Sequence, residues 1–180
     1  AKVISNYSQR AAFTIHKNIY YPKPSNSSGR MQFTMRANRH KNTVFIVDEA
    51  SMIGDMSASD SSMYPHGSLL DDLIYYVYSG TNCKLVLIGD SAQLPPVNMQ
   101  SSPALDCDLL SLQYQMDVHS IELDEVMRQE ENSGILYNAT ELREVLNTYF
   151  YDAFSFQING FKDIVRLQDG YDIQDAIFDS

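Results

Sequence analysis

Two short apolar runs each end in an aspartate: Thr43-Val-Phe-Ile-Val-Asp48, followed at once by Glu49, and Lys84-Leu-Val-Leu-Ile-Gly-Asp90. A strand closing on an Asp-Glu pair supplies what nucleoside-triphosphate hydrolysis needs opposite a phosphate loop. The first carboxylate can hold the water shell of Mg²⁺, and the second, one residue further out, can polarise the attacking water. Taken alone, the pair also fits a plain solvated strand end. The second run continues as Gly89-Asp-Ser-Ala-Gln93-Leu-Pro95-Pro96-Val97. Glycine lets the chain turn sharply, Gln93 offers a donor and an acceptor suited to a γ-phosphate or its attacking water, and the double proline stiffens the loop after it. A Gln in that position would report nucleotide state to the proline loop.

These residues need a scaffold that brings both strand ends to one edge. Continuous β-branched and aliphatic runs without alternation predict strands buried on both faces, as in a parallel sheet. Between them Leu69, Leu70, Leu73, Ile74 and Val77 recur at helical spacing, and Ser79-Gly80-Thr81-Asn82 supplies a stop. The expectation is a strand–helix–strand unit with both aspartates at the carboxyl edge, where open α/β folds bind ligands. Upstream, Lys2 to Tyr7 has weak helical character, and Arg10 to His16 leads into a helix near Thr14. Ile19-Tyr20-Tyr21 and Met31 to Met35 are strand-like, and the Pro, Ser and Asn between them predict a β-hairpin inserted at residues 18–42. Downstream, residues 56–67 read as a loop, 103–112 as a helix, His119 to Leu123 as a third strand, 133–146 as an amphipathic helix and 171–180 as a last short helix.

The chain has 180 residues and a formal charge of −10, with 44% hydrophobic and 20% charged residues, a composition of ordinary globular proteins. No apolar run approaches the roughly 18 residues of a membrane span, and Ala1-Lys-Val-Ile-Ser has no signal core, so the expected location is cytoplasmic, with no membrane partner. Cys83 and Cys107 belong to no CxxC or His cluster and are expected to be buried small hydrophobes. The net charge hides an asymmetry: residues 1–47 carry eight Lys and Arg and no acidic residue, whereas residues 48–180 carry five basic and 23 acidic ones. A basic segment of this kind fits a polyanion partner, because the field that steers one is local. It fits equally a segment packed against the acidic remainder.

Together the residues resemble the RecD-like DNA helicases of superfamily 1, whose motor is a RecA-like P-loop NTPase domain. Val44-Phe-Ile-Val-Asp-Glu-Ala-Ser-Met-Ile53 is similar to motif II (Walker B) of that family and Leu87-Ile-Gly-Asp-Ser-Ala-Gln-Leu-Pro-Pro-Val97 to motif III. Ala11-Ala-Phe-Thr-Ile-His16 resembles the DNA-contacting motif Ia, and Leu123-Asp-Glu-Val-Met-Arg-Gln129 resembles motif IV. The resemblance implies an α/β fold with a parallel sheet and flanking helices, ATP as substrate and Mg²⁺ as cofactor. Asp48 would coordinate Mg²⁺ through water, Glu49 would activate water, Gln93 would sense the γ-phosphate and Arg128 would contact that phosphate. Outside the family, Arg128 would be an ordinary surface residue and His16 an ordinary structural histidine.

In the same resemblance Thr14 and His16 would meet single-stranded DNA, with Pro95 and Pro96 near the same track. The hairpin falls where relatives carry a strand-separating pin. Its Arg36 and Arg39, with Lys23, Arg30 and Lys41 interleaved with Tyr20, Tyr21 and Phe33, fit backbone contact plus base stacking, and fit a plain solvated hairpin as well. The expected organisation is an incomplete RecA-like ATPase domain over 1–17 and 43–150, the inserted hairpin over 18–42, and an extension over 151–180 toward a second motor domain. Expected partners are single-stranded DNA, duplex junctions and the rest of a helicase chain. Self-association through an exposed sheet edge is also expected. Alternatives from other classes are a non-catalytic DNA-binding or protein-interaction module and a P-loop nucleotidase unrelated to DNA.

The phosphate-cradling loop G-x-x-x-x-G-K-[ST] does not occur in the 180 residues, and the expectation is a piece of a longer helicase or the product of a disrupted gene. Without that lysine and its run of amides, Asp48 and Glu49 cannot position Mg·ATP. The purified 180-residue chain is therefore predicted to show no ATP hydrolysis. Robust turnover abolished by Glu49→Gln would contradict this.

Overall fold

The structure, a computed structural model, describes residues 2–24, 31–55, 63–123, 133–147 and 154–178. It divides into two compact units, Ala1–Ser120 and Ile121–Ser180. The first is built on a two-stranded parallel sheet. Strand β3 (Val44–Val47) pairs with β4 (Lys84–Leu87) in the register Val44 to Lys84 through Val47 to Leu87, and a bridge between Lys41 and Thr81 extends it. A second pair is antiparallel: β1 (Tyr20–Pro24) and β2 (Met31–Met35) form a hairpin with Tyr20 opposite Met35 and Pro24 opposite Met31.

Helix α3 (Leu69–Tyr78) connects the parallel strands and carries the core. Ser68 caps it, its Oγ accepting from the Asp71 amide at 3.0 Å, and Asp71 and Asp72 in the first turn complement the helix dipole. Leu70, Leu73, Ile74, Tyr76 and Val77 are buried together with Ile19, Tyr20, Ala50, Ile53 and Leu110. Asp72 lies fully buried on the same helix, and three donors satisfy it. The Tyr20 hydroxyl donates at 2.6 Å, the His66 amide at 2.9 Å, and His66 Nδ1 lies at 2.6 Å. Burial and the Asp72 hydrogen bond push the Tyr20 phenol far above its ordinary pKa, so it stays a donor. The hairpin is thereby tied to α3, and the rings of His16, Tyr20, Phe33 and Tyr64 gather over the joint, with Tyr20 and Phe33 stacked at 4.7 Å.

Short elements complete this unit: α1 (Lys2–Ser8), α2 (Ile15–Ile19), a 3-10 turn over Ala50–Met52, a second over Pro103–Leu105, and α4 (Cys107–Tyr114). No helix among the described residues is long and apolar enough to cross a membrane. Cys83 is buried as expected, whereas Cys107, also expected to be buried, is partly exposed at the first residue of α4, and both are free thiols.

Two further expectations need correction. The parallel strands are buried on one face only: Phe45, Val47, Leu85 and Leu87 pack on the core, whereas Val44, Ile46, Val86 and Ile88 are exposed. Continuous apolarity requires layers on both faces, and α3 with its neighbours supplies one. His119 to Leu123 forms no strand, and Ile121 and Leu123 are 87% and 86% exposed. An alternating pattern makes a strand only where a neighbouring edge accepts its ladder, and none pairs with it among the described residues. Residues 56–62 of the loop expectation lie outside the described residues.

The second unit contains α5 (Gly134–Asn147) and α6 (Gly170–Phe178). Asn138 is buried and bridges α5 to the following segment, its Nδ2 donating to Gln157 O at 2.8 Å and its Oδ1 accepting from Gln157 N at 2.7 Å. Asp163 caps α5 from a distance in sequence, accepting from Ser133 Oγ at 2.7 Å, Gly134 N at 2.8 Å and Ile135 N at 3.2 Å. The Ser133 hydrogen bond, then those of the backbone amides, hold its carboxyl down at about 2. A depressed carboxylate stabilises the fold above its ordinary pKa, and the contribution disappears as pH falls through the folded value. The amide resonances of Gly134 and Ile135 are predicted to titrate in acid with a midpoint near 2. A midpoint at the ordinary aspartate value of about 4 would contradict the cap.

Candidate functional site at the carboxyl edge of the parallel pair

Strand β3 delivers Asp48 and Glu49 to the carboxyl edge, and both side chains are exposed. Glu49 adopts φ 56° and ψ 40°, a left-handed conformation that costs a residue with a Cβ on the order of 1–2 kcal/mol. Its surroundings enforce it. The Ala50 amide donates to Ile88 O at 2.8 Å, the Ile53 amide closes the 3-10 turn onto Ala50 O at 3.0 Å, and Ala50 and Ser51 are both buried. The chain thus leaves the strand, presents two carboxylates to solvent and dives under the neighbouring strand within three residues. Strain held in this way is common where a site needs a fixed geometry.

The neighbouring strand meets it with a glycine. The Ile88 amide donates to Val47 O at 2.8 Å, and at Gly89 a Cβ would stand 2.9 Å from Ser51 N, 3.3 Å from Ala50 N and 3.0 Å from Leu105 Cδ1. Any side chain at Gly89 would force two backbones apart. Asp90 then organises a turn, its Oδ1 accepting from Ala92 N at 2.9 Å and its carbonyl accepting from Gln93 N at 3.1 Å. Gln93 is exposed on that turn. The proline loop comes back onto the first strand's exit: at Gly54 a Cβ would stand 3.3 Å from Pro96 Cβ and 3.2 Å from Met99 Sδ. Asp48, Glu49, the Asp90–Gln93 turn and the Pro95–Pro96 loop are therefore one assembly, joined by the Ala50–Ile88 backbone hydrogen bond and by the packing of Pro96 and Met99 on Gly54.

The remaining sequence-derived candidates lie elsewhere. Thr14 caps α2, its Oγ1 accepting from Lys17 N at 3.3 Å. His16 is half-buried in the aromatic cluster, its Nε2 lies 3.4 Å from the Tyr64 hydroxyl, and burial lowers its pKa. Arg36 and Arg39 follow β2 and stand beside α3. Arg128 lies outside the described residues. Among the described residues no group of three His, Cys, Asp or Glu side chains forms a metal cage. The exposed Asp48 carboxylate nonetheless suits Mg²⁺, which keeps most of its waters and takes one or two carboxylates plus substrate phosphates.

Sequence reasoning missed the close approach at Gly54 and the buried Ser51 hydroxyl, which has no hydrogen-bond partner among the described residues. It also missed the Tyr20–Asp72–His66 network, although an aspartate on the apolar face of Leu69-Leu-Asp-Asp-Leu-Ile74 was a signal that something must satisfy it.

Residues 1–145 match the family model of the AAA domain. Comparison with curated proteins and with solved structures returns no match. A mixed α/β body with a parallel pair, an acidic strand tip and a glycine-led turn beside it agrees with that family, whose members are nucleotide-dependent P-loop proteins. The chain belongs to the AAA domain family.

Proposed function

We propose that the chain is motor-domain sequence of an ATP-dependent DNA helicase of the RecD-like superfamily 1 type, with a RecA-like body that couples ATP hydrolysis to movement along single-stranded DNA and to duplex unwinding. The observation that supports this reading is the backbone joint at Ala50, Ile88 and Gly89, which couples an acidic strand tip to the Gln93 turn. A hydrolase that moves on a polymer needs such a joint, because loss of the γ-phosphate at one loop must reposition another.

In this reading Asp48 holds the water shell of Mg²⁺, and Glu49 takes a proton from the attacking water on its carboxylate. Gln93 hydrogen-bonds the γ-phosphate or that water, and Arg128 neutralises charge on the transferring group. Mg·ATP supplies the phosphoryl group and the metal charge. When the Gln93 amide loses its phosphate partner, the Asp90–Gln93 turn relaxes, and Pro96 passes the change to Gly54 through their packing. Thr14, Pro95 and Pro96 line the DNA track. His16, kept neutral by its surroundings, contributes hydrogen bonding and stacking rather than charge.

The test supplies the missing chemistry. A G-x-x-x-x-G-K-T strand–loop–helix segment fused ahead of motif Ia is expected to give ATP hydrolysis stimulated by single-stranded DNA. Glu49→Gln is expected to reduce it by about 10²-fold or more, the usual worth of a general base. Hydrolysis indifferent to Glu49→Gln and to DNA would contradict the proposal.

A further inference from the structure

A cleft of about 340 Å³ opens at the foot of the hairpin, lined by Asn18, Tyr21, Arg36, Arg39, His40 and Tyr76. Its lining holds two guanidiniums and an imidazole and no carboxylate, and among the described residues no acidic side chain forms an ion pair with Arg36 or Arg39. Two guanidiniums without a carboxylate partner in a concave surface leave a local positive potential that attracts anions.

The cleft is also rigidly built. The Arg36 amide donates to Ile19 O at 2.8 Å, and its Nε donates to Tyr20 O at 2.7 Å. Its guanidinium lies over the Tyr21 ring, 4.5 Å from the centroid. Two residues on, Asn38 Nδ2 donates to the carbonyls of Tyr76 at 2.8 Å and Val77 at 3.1 Å, while its Oδ1 accepts from the His40 amide at 2.9 Å. Gly80 makes room for this anchor, since a Cβ there would stand 2.6 Å from Asn38 Nδ2. The His40 ring sits edge-on to Phe45 at 5.3 Å. The segment from Arg36 to His40 is thus pinned to α2 at one end and to the C-terminal turn of α3 at the other. The exposed Arg39 follows the Asn38 anchor directly, between Asn38 and the His40 amide from which Asn38 Oδ1 accepts.

A planar guanidinium with fixed orientation suits a phosphodiester, and an aromatic ring that is 55% exposed beneath it suits a base. A polymer is favoured over a mononucleotide by a second cleft of about 360 Å³ lined by Lys2, Phe13, Thr14 and Lys17. Lys17 and Asn18 are consecutive in α2 and line one cleft each, so the two clefts flank the same short helix. We infer that the Arg36–Arg39 cleft is a phosphate-and-base subsite for single-stranded DNA, in which Arg36 and Arg39 hold a phosphodiester, Tyr21 supports a base, and Asn38 is the positioning residue. This rests on the helicase reading and specifies which surface grips the strand.

The test is fluorescence anisotropy of the 180-residue chain with a labelled oligo-dT of about 20 nucleotides across a salt series. Arg39→Ala, at an exposed position that leaves folding intact, is expected to weaken binding about ten-fold and to reduce the salt slope by ~0.7, one phosphate contact on a single strand. Asn38→Ala is expected to weaken binding with the slope unchanged, because it displaces the charges without removing them. Lys162→Ala with Arg166→Ala, in the other unit, leaves affinity unchanged. Binding by the unaltered chain that neither Arg39→Ala nor Tyr21→Ala weakens by more than about two-fold would overturn the cleft and leave the helicase reading standing. Tighter binding of duplex or of oligo-rU would overturn the single-stranded DNA assignment. Failure of the unaltered chain to bind oligo-dT would overturn both cleft and DNA reading, while hydrolysis by the phosphate-loop fusion reports separately on the nucleotide chemistry.

Discussion

The passage of two backbones at Gly89 is the constraint on which the carboxyl edge depends. A Cβ there would lie 2.9 Å from Ser51 N, so Gly89, two residues past the end of β4, can have no side chain if Ala50 is to reach Ile88 O. That bond turns the chain at Glu49 into a conformation it would otherwise avoid, and the turn leaves the two carboxylates exposed at the tip of β3. Gly54 repeats the device one layer further out, where Pro96 and Met99 close on it. The exit of β3 and the chain that follows β4 are thereby joined by a main-chain hydrogen bond at one glycine and by the packing of Pro96 and Met99 side chains at another. The assembly is the physical basis for reading this edge of an AAA domain as a site where one event is felt by several loops.

The basic half of the same unit is organised by a different interaction. Asp72, fully buried on α3, is acceptable there because Tyr20 and His66 satisfy it, and the Tyr20 bond carries the root of the hairpin onto the helix. Removing one partner would leave a buried charge short of a donor, a cost of about 1–3 kcal/mol. With β1 fixed, the turn after β2 is held beside α3 by Arg36 and Asn38, and the arginines acquire a defined setting. The charge partition of the sequence thus has a structural counterpart: one carboxylate of the acidic remainder is consumed in anchoring the hairpin, while Arg36 and Arg39 line a cleft without acidic side chains.

The parts of this legible from sequence were those set by period and punctuation. The apolar runs ending at Asp48 and Asp90 are long enough and bounded sharply enough to specify strands, and Leu69 to Val77 specifies the helix between them. What the run at Val44 to Val47 did not reveal is how many layers cover it, because apolarity on both faces records a demand for burial and not its supply. The pattern at His119 to Leu123 misled for a related reason: alternation describes a face, and a strand needs a neighbour. Asn38 was invisible because an asparagine in a polar stretch has the same composition whether it anchors or dangles, and only the Gly80 contact distinguishes the two. The motif residues Asp48, Glu49 and Gln93 were found by type and spacing, yet the strain at Glu49 belongs to the fold around it and no local preference announces it.

The central claim is that the acidic tip and the Gln93 turn are one backbone-locked assembly, and hydrogen exchange at the Ala50 amide tests it most directly. The bond to Ile88 O predicts that this amide, although it lies beyond the end of β3, is protected comparably with the Ile88 amide, which bonds Val47 O at the end of the ladder. Both should lose protection together in Gly89→Ala, where the new methyl group separates the strands. An Ala50 amide that exchanges as freely as an exposed loop while Ile88 stays protected would contradict the account.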